Sequence, residues 1–330
     1  TVPQIGSGEA DGVTGLTVLG NTGSGTLTLA ASTYNFGGGL TIGPNYSSSG
    51  SNLSSFTTAG DVSFLGTVEL DGTFSIDSGG GDISIAGNIT STGEDEILTL
   101  KDGDANSATG TITLGGTVSA SNITLVGDSG IILKGDITSN NTGSAGAINF
   151  TGPITLADTT SDSVTIDADQ HADTTVTFNG TATVNAATSG GQSLTIDTAD
   201  GAIQMQGAIG NLTALNDLTV NADGTATIEI FNIGGSTTAV GVAGDTNIGN
   251  DNTDTLTLDG TIYTTTGSQT YTADSGQNID ITNSSGSTFT TTNTAVAFEN
   301  SGVDLANDAT TTINTGTGDG SVTFEGAIET

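Results

Sequence analysis

The sequence predicts an all-β fold, a right-handed parallel β-helix (β-solenoid) with coils of about 20–28 residues. Short apolar segments alternate with period two along most of the 330 residues, which is strand periodicity. One apolar pattern also recurs along the chain, as expected for stacked structural repeats. The composition agrees, because 51 Gly and abundant Thr, Ser and Asn disfavour helices.

The recurring pattern is apolar-x-apolar-x-Gly-x-apolar. Copies start at Val62, Ile83, Ile112, Ile131, Ile148, Val176, Ile203, Leu256 and Val322, the copy at Val176 lacking the last apolar residue. A shorter apolar-Thr-apolar pattern lies between copies, as in 98–100 and 194–196. The Gly after each strand is expected to give the backbone freedom to turn a corner. A single turn cannot bury its apolar face, but stacked turns can share one core.

The regularity of the pattern divides the chain. Residues 1–60 are predicted to be a less regular N-terminal part of the solenoid, with a Ser-rich loop at 44–55. Residues 61–330 are predicted to form a repetitive solenoid rod. Within this rod the segment 231–250 is looser and is expected to protrude as a loop.

Two other architectures compete with the solenoid. An array of immunoglobulin-like sandwiches usually has longer strands and a buried Trp or a tyrosine corner. The chain has no Trp and four Tyr, which favours the solenoid. Disorder is the other alternative, since Gly- and Ser-rich acidic chains often stay unfolded. The regular alternation of Val, Ile, Leu and Phe argues against it.

The charge balance excludes several partners. Lys and Arg number 2 against 36 Asp and Glu, giving a formal net charge of -34. Binding to nucleic acid needs basic residues to neutralise phosphates, so no nucleic-acid partner is expected. No apolar run approaches the ~20 residues that span a bilayer, so no membrane insertion is expected.

Some repeats resemble a known family. The run 191–220 contains Gly-Gln-Ser-Leu-Thr-Ile and Gly-Ala-Ile-Gln-Met-Gln-Gly, and 266–271 reads Thr-Gly-Ser-Gln-Thr-Tyr. These phrases resemble the repeats of filamentous-haemagglutinin-like adhesins and other giant bacterial surface proteins, over about residues 60–330. The resemblance implies a parallel β-helix, an extracellular location at the bacterial cell surface, and a role in adhesion or fibre building. It brings no catalytic residues.

No catalytic constellation is expected, so the sequence predicts a protein that is not an enzyme. The single His, His171, lies in a polar stretch between two strands and is expected in a solvated turn. Lyases that cut acidic polysaccharides need Arg or Lys. A pair of carboxylates for glycoside hydrolysis keeps a polysaccharide-active β-helix enzyme as a remote alternative.

The candidate ligand is calcium, and no other cofactor is expected. Asp102, Asp104 and Asn106 place hard oxygen ligands at alternate positions, which suits Ca²⁺. The acids at 94–96 add negative charge nearby. Asp251 with Asp254, and Asp167 with Asp169, are weaker candidates. An ordinary Asx-rich turn explains the same residues without a metal.

The end of the sequence, inside the motif at 322–328, predicts an uncapped solenoid edge. Such an edge pairs readily with another chain. Two explanations fit such an edge: the chain is a fragment of a longer rod, or copies of the chain stack head to tail. We favour the second, which predicts a surface fibre with the chain itself as partner. The alternative is an adhesin that binds glycans or other cell-surface proteins through protruding loops at 44–55 or 231–250.

Overall fold

The computed structural model describes residues 17–19, 26–28, 33–43, 45–48, 54–91, 93–103, 109–157, 162–236, 240–306 and 309–330. The chain forms two compact units, Thr1–Ile154 (unit 1) and Thr155–Thr330 (unit 2). Parallel strands coil into a β-solenoid in both, and no helix occurs in the described ranges. The predicted all-β parallel β-helix is therefore confirmed and the sandwich alternative is wrong, while the right hand stays a prediction.

Unit 1 contains eighteen short strands among its described residues. In chain order they are β1 (Thr17–Leu19), β2 (Thr26–Thr28), β3 (Thr33–Phe36), β4 (Leu40–Ile42), β5 (Asn45–Ser47), β6 (Ser54–Thr58), β7 (Val62–Phe64), β8 (Thr67–Leu70), β9 (Thr73–Asp77), β10 (Ile83–Ile85), β11 (Ile89–Ser91), β12 (Ile97–Lys101), β13 (Ile112–Leu114), β14 (Val118–Ala120), β15 (Asn122–Val126), β16 (Ile131–Leu133), β17 (Ile137–Ser139) and β18 (Ala147–Thr151).

Every third strand of unit 1 pairs with the next in parallel, so each turn of the coil (a rung) contributes one strand to each of three sheets. The first sheet runs β1-β4-β7-β10-β13-β16, the second β2-β5-β8-β11-β14-β17, and the third β3-β6-β9-β12-β15-β18. Paired residues are chemically alike, as in Leu98 with Ile123 and Leu100 with Leu125. Inward apolar residues therefore stack directly on one another, and the core runs along the coil axis.

Unit 2 follows the same plan. After β19 (Ile154–Leu156), which begins at the last residue of unit 1, its strands are β20 (Ser163–Ala168), β21 (Thr175–Phe178), β22 (Val184–Ala186), β23 (Ser193–Thr198), β24 (Ile203–Met205), β25 (Leu218–Ala222), β26 (Thr227–Ile230), β27 (Thr246–Ile248), β28 (Thr255–Leu258), β29 (Ile262–Thr264), β30 (Gln269–Thr272), β31 (Asn278–Ile281), β32 (Ser287–Thr290), β33 (Val296–Glu299), β34 (Gly302–Leu305), β35 (Thr311–Asn314), β36 (Val322–Phe324) and β37 (Ile328–Glu329).

Two long sheets and one interrupted sheet form the walls of unit 2. The long sheets run β20-β23-β25-β27-β30-β33-β36 and β21-β24-β26-β28-β31-β34-β37. On the remaining wall, β22 is followed by single parallel bridges from Val184 to Ile209, Ile209 to Ile233 and Ile233 to Tyr263. Regular pairing resumes there with β29-β32-β35.

Aromatic side chains stack along the core of each unit. In unit 1, Phe56 lies between Tyr34 and Phe74, with ring centroids 5.3 and 5.6 Å apart. In unit 2, Tyr263 stacks on Phe289 at 4.6 Å. All four Tyr of the chain are buried in this way. The buried aromatic residues thus form part of the solenoid core and not of a sandwich.

The rungs vary more in length than the sequence predicts. Ile112 pairs with Ile131, a step of 19 residues, whereas Val164 pairs with Leu194, a step of 30. All strands are short, with two to six residues, so most of the variation lies in the corners between strands. Corner loops face outward and tolerate insertions, which explains the wider range.

The apolar pattern with Gly does not mark one fixed place in the rung. The copies at Val62, Ile83, Ile112 and Ile131 start in the first sheet of unit 1, whereas the copy at Ile148 lies on β18 of the third sheet. In unit 2 the copies likewise fall on two different walls, β28 and β36 among them. The pattern therefore marks a strand, a tight corner and the next strand, and this corner lies at different places in different rungs.

At several corners the Gly of the pattern is needed for space, whereas Gly152 has a φ of 98° and also needs the backbone freedom of glycine. Gly87, Gly116 and Gly135 do not have positive φ, so the predicted reason for these glycines is wrong. A Cβ on Gly87 would lie 2.7 Å from the carbonyl carbon of Gly66, and one on Gly135 would lie 2.6 Å from that of Gly116. At these three corners the glycines of successive rungs stack, and a side chain would collide with the previous rung.

Asp side chains join the corners between rungs. In unit 1, the Asp82 amide donates to Oδ1 of Asp61 (3.0 Å), and the Thr111 amide donates to Oδ1 of Asp82 (2.8 Å). In unit 2, Asp217 and Asp245 accept in the same way from the next rung. These carboxylates satisfy backbone amides where the sheets are interrupted.

The two predicted protruding loops contain parts of the coil. Within 44–55, Asn45–Ser47 form β5 and Tyr46 is buried, while residues 44 and 49–53 lie outside the described residues. Within 231–250, Ile233 and Val242 are buried and Thr246–Ile248 form β27. Both loop predictions are wrong in these parts, because short polar strands with one inward apolar residue look like loops in sequence.

We predict that Gly87→Ala destabilises the protein by about 1–3 kcal/mol, because its methyl group overlaps the backbone of the previous rung. Gly180→Ala is the matched control, since Gly180 follows a strand in the same pattern but has nothing within 4 Å of its added Cβ. Urea unfolding of both variants measures the difference. Equal midpoints for the two variants would contradict the stacking explanation.

Candidate cation site

Asp102 directly follows β12, at a corner of unit 1. The register places Lys101 beside Asp77 on one side and Val126 on the other, so Asp102 is flanked by Ser78 and Gly127. The Asp102 amide donates to the Val126 carbonyl (3.1 Å), and the Gly80 amide donates to the Asp102 carbonyl. The alternation of β12 turns Lys101 outward and Asp102 inward.

The carboxylate of Asp102 is 0% exposed, and neither Oδ1 nor Oδ2 has a hydrogen-bond partner. Burial raises the pKa of this carboxyl, and the negative charge of Asp128 raises the pKa further. The backbone amides of Asp128 and Ser129 lie near enough to oppose that rise, but without normal hydrogen-bond geometry. A buried carboxylate without partners is costly, so the corner lacks a counter-group.

Asp128 brings a second carboxylate to the same corner from the next rung. Its Oδ2 is also buried and without a hydrogen-bond partner. Three unpaired carboxylate oxygens therefore belong to two neighbouring side chains. Such hard oxygen donors, completed by carbonyl groups and water, are what Ca²⁺ takes in proteins.

The structure places the predicted calcium residues unequally. Asp102 is buried at the corner, whereas Asp104 and Asn106 lie outside the described residues. Of the nearby acids, Glu94 and Asp95 are exposed. Glu96 is buried, and its Oε2 has no hydrogen-bond partner. The alternate spacing from Asp102 onward thus stays a prediction, and the structure adds Asp128.

Residues of the weaker candidate pairs accept hydrogen bonds from the protein. Asp251 accepts from Nδ2 of Asn300 at 2.6 Å, and Oδ1 of Asp167 accepts from the Asp169 amide at 3.2 Å. Asp254 accepts a long bond of 3.5 Å from the Thr255 hydroxyl. In the described ranges there is no group of three or more His, Cys, Asp or Glu placed to hold a metal ion.

His171 lies in a polar turn between β20 and β21. Its Nδ1 accepts from the Asp173 amide at 3.3 Å, and its carbonyl accepts from the Thr174 amide at 3.2 Å. The side chain is partly exposed. These contacts stabilise the turn.

Carboxylates also stack on the outer surface of unit 2. Asp280 of β31 pairs in register with Asp304 of β34. Burial raises the pKa of Asp280, and the charge of Asp304 raises the pKa further. Oδ2 of Asp304 accepts from Nδ2 of Asn278 at 2.9 Å. Register alone creates this pair, because the two residues are 24 positions apart and no local motif joins them.

Comparisons with known proteins identify no relative. No family model matches the chain, and neither a curated protein nor a solved structure matches it. Among the described residues no helix is long and apolar enough to cross a membrane.

We predict that Asp280→Asn raises the melting temperature at pH 7. The raised pKa means that the folded protein binds this proton more tightly than the unfolded chain does. Protonation of Asp280 therefore stabilises the folded protein as the pH falls through the window above 3.8. This stabilisation is lost as the pH rises and the carboxylate ionises. Calorimetry of Asp280→Asn and wild type between pH 4 and 7 should show the two melting temperatures converging on acidification.

The control for this prediction is Asp319→Asn, at an exposed turn. It removes the same charge without removing a stacked pair. A melting temperature for Asp280→Asn below that of wild type at pH 7 would contradict the predicted repulsion.

Proposed function

We propose that the protein is a non-enzymatic structural subunit of an extracellular fibre on the bacterial cell surface, assembled by head-to-tail stacking of β-solenoids. The observation that carries the proposal is the parallel register of the rungs, which sets equivalent apolar residues on one another, together with the exposure of those residues on the rung β35–β37. Val322 and Ile328 are 44% and 51% exposed there. Their partners one rung earlier, Val296 and Val303, are 0% and 1% exposed.

The exposed residues of this rung occupy the same positions as core residues of the preceding rung. A further rung in the same parallel register would bury them and would pair with β36 and β37. A cavity at this rung is lined by apolar side chains, including Leu305, Ile313 and Phe324. The surface is therefore suited to receive another rung and not a polar small molecule.

The charge of the chain restricts how copies can associate. At a formal net charge of -34, the sides of two solenoids repel each other. Burial of the apolar residues on the rung β35–β37 can offset this repulsion, but only when two copies meet end to end. The resemblance to filamentous-haemagglutinin-like repeats supports the location at the cell surface.

Adhesion is the second candidate function. Leu212 is 85% exposed between the buried residues Ile209 and Leu215, and Phe231 is also exposed. Large apolar side chains held outward by a rigid coil are suited to bind a partner protein or the apolar face of a sugar. Binding of surface glycans or proteins by a chain that never polymerises would favour this function.

Electron microscopy and sedimentation velocity of the full chain test the fibre. We predict filaments for wild type and discrete monomers for Val322→Lys, because a lysine on an open strand edge opposes pairing with another chain. Thr257→Lys is the matched control. Thr257 belongs to β28, which lies in the middle of a sheet between β26 and β31, so this lysine adds the same charge away from the edge.

The expected order is therefore that wild type and Thr257→Lys polymerise and Val322→Lys does not. Circular dichroism should show the same strand content in all three. Monomers of wild type at every concentration, or equal polymerisation of both lysine variants, would overturn the proposal.

A further inference from the structure

We propose that the buried carboxylate of Asp102 and the buried Oδ2 of Asp128 form a binding site for a hard divalent cation of the Ca²⁺ class, and that the cation stabilises unit 1. This site goes beyond the fibre function, which needs no ligand. The failure of one proposal therefore leaves the other standing.

The residues stacked on Asp102 show what is unusual about it. In register, Thr58, Ser78 and Asp102 follow one another at the same corner. The Thr58 hydroxyl donates to the Gly60 carbonyl at 2.6 Å, and the Ser78 hydroxyl donates to the Gly81 carbonyl at 2.5 Å. Each of these hydroxyl groups thus has a hydrogen-bond partner, a backbone carbonyl oxygen of its own corner.

An ionised carboxylate cannot repeat this arrangement. It has only acceptor oxygens, so it cannot donate to a corner carbonyl as a hydroxyl does. Asp102 accordingly has no hydrogen-bond partner for either oxygen, although the side chain is completely buried. Buried oxygen atoms that lack donors and lie at one corner are a ligand set for a cation.

Asp128 makes the need for a cation stronger. Its unpaired, buried Oδ2 belongs to a second negative side chain beside Asp102. Two neighbouring carboxylates repel each other unless one is protonated or a positive charge lies between them. Lys101 points outward, with its Nζ 3.9 Å from Asp77. A bound divalent cation supplies the missing charge, and water and backbone carbonyls complete its coordination.

Isothermal titration calorimetry of the full chain with Ca²⁺, at about 0.15 M ionic strength to screen surface charge, tests the site. Mg²⁺ is present throughout to saturate weak binding of divalent ions to the acidic surface. It keeps its water ligands and therefore does not suit a buried site of this kind. We expect saturable binding to wild type, and a loss of affinity of at least about tenfold in Asp102→Asn and in Asp128→Asn.

Asp319→Asn is the control, because it removes one exposed charge and should bind Ca²⁺ like wild type. Without Ca²⁺, Asp102→Asn should melt no lower than wild type, since the amide removes an unpaired buried charge. With Ca²⁺, the melting temperature should rise for wild type and for Asp319→Asn only.

Two results would overturn the site. Equal Ca²⁺ titrations of wild type, Asp102→Asn and Asp128→Asn would mean that only the acidic surface binds the ion. No response of wild type to Ca²⁺ would mean that Asp102 is a neutral, protonated acid. Because Asp128→Asn is tested separately, a misfolded Asp102→Asn variant would leave the test intact.

Discussion

Successive rungs approach each other to one strand spacing, about 4.8 Å, at every position of the coil. This close approach fixes what each position can hold. Inward positions need apolar residues of similar shape, as where Tyr34, Phe56 and Phe74 stack in unit 1. Tight corners have no room for any side chain, so Gly87 lies against the backbone of Gly66. A chain built in this way gains stability only through contacts between neighbouring rungs.

The same approach makes polar residues interact across rungs. Where the partner is a backbone amide, as for Asp61 and Asp82, the carboxylate replaces a missing sheet hydrogen bond. Where the partner is another carboxylate, as for Asp280 and Asp304, stacking produces repulsion. Asp102 is buried beside a second carboxylate, that of Asp128, and no hydrogen-bond donor reaches its oxygens. Acidic residues in this fold therefore act according to their register, and a cation site can arise without a continuous motif.

The fold class can be predicted from the sequence, because the alternation and repetition of apolar residues are visible along the chain itself. The sequence was insufficient for the role of the pattern's Gly, since crowding at Gly135 comes from a residue of the previous rung. Short strands with one inward residue, such as β5 around Tyr46, carried too weak a pattern to detect. Asp102 can be predicted because it lies in an acidic segment of the sequence. Asp128 was missed because its proximity to Asp102 depends on pairing across 25 residues, from β12 to β15.

Cross-linking of paired cysteines tests the in-register coil most directly, since the natural chain contains no Cys. Thr99 of β12 pairs with Thr124 of β15, which in turn pairs with Asn149 of β18, and all three side chains are on the outer face. Thr99→Cys with Thr124→Cys should form a disulfide on mild oxidation, because paired Cα atoms lie within the range that a disulfide spans. Thr99→Cys with Asn149→Cys, two rungs apart, should stay reduced. Equal oxidation of the two pairs, or oxidation of the second pair alone, would contradict the coil.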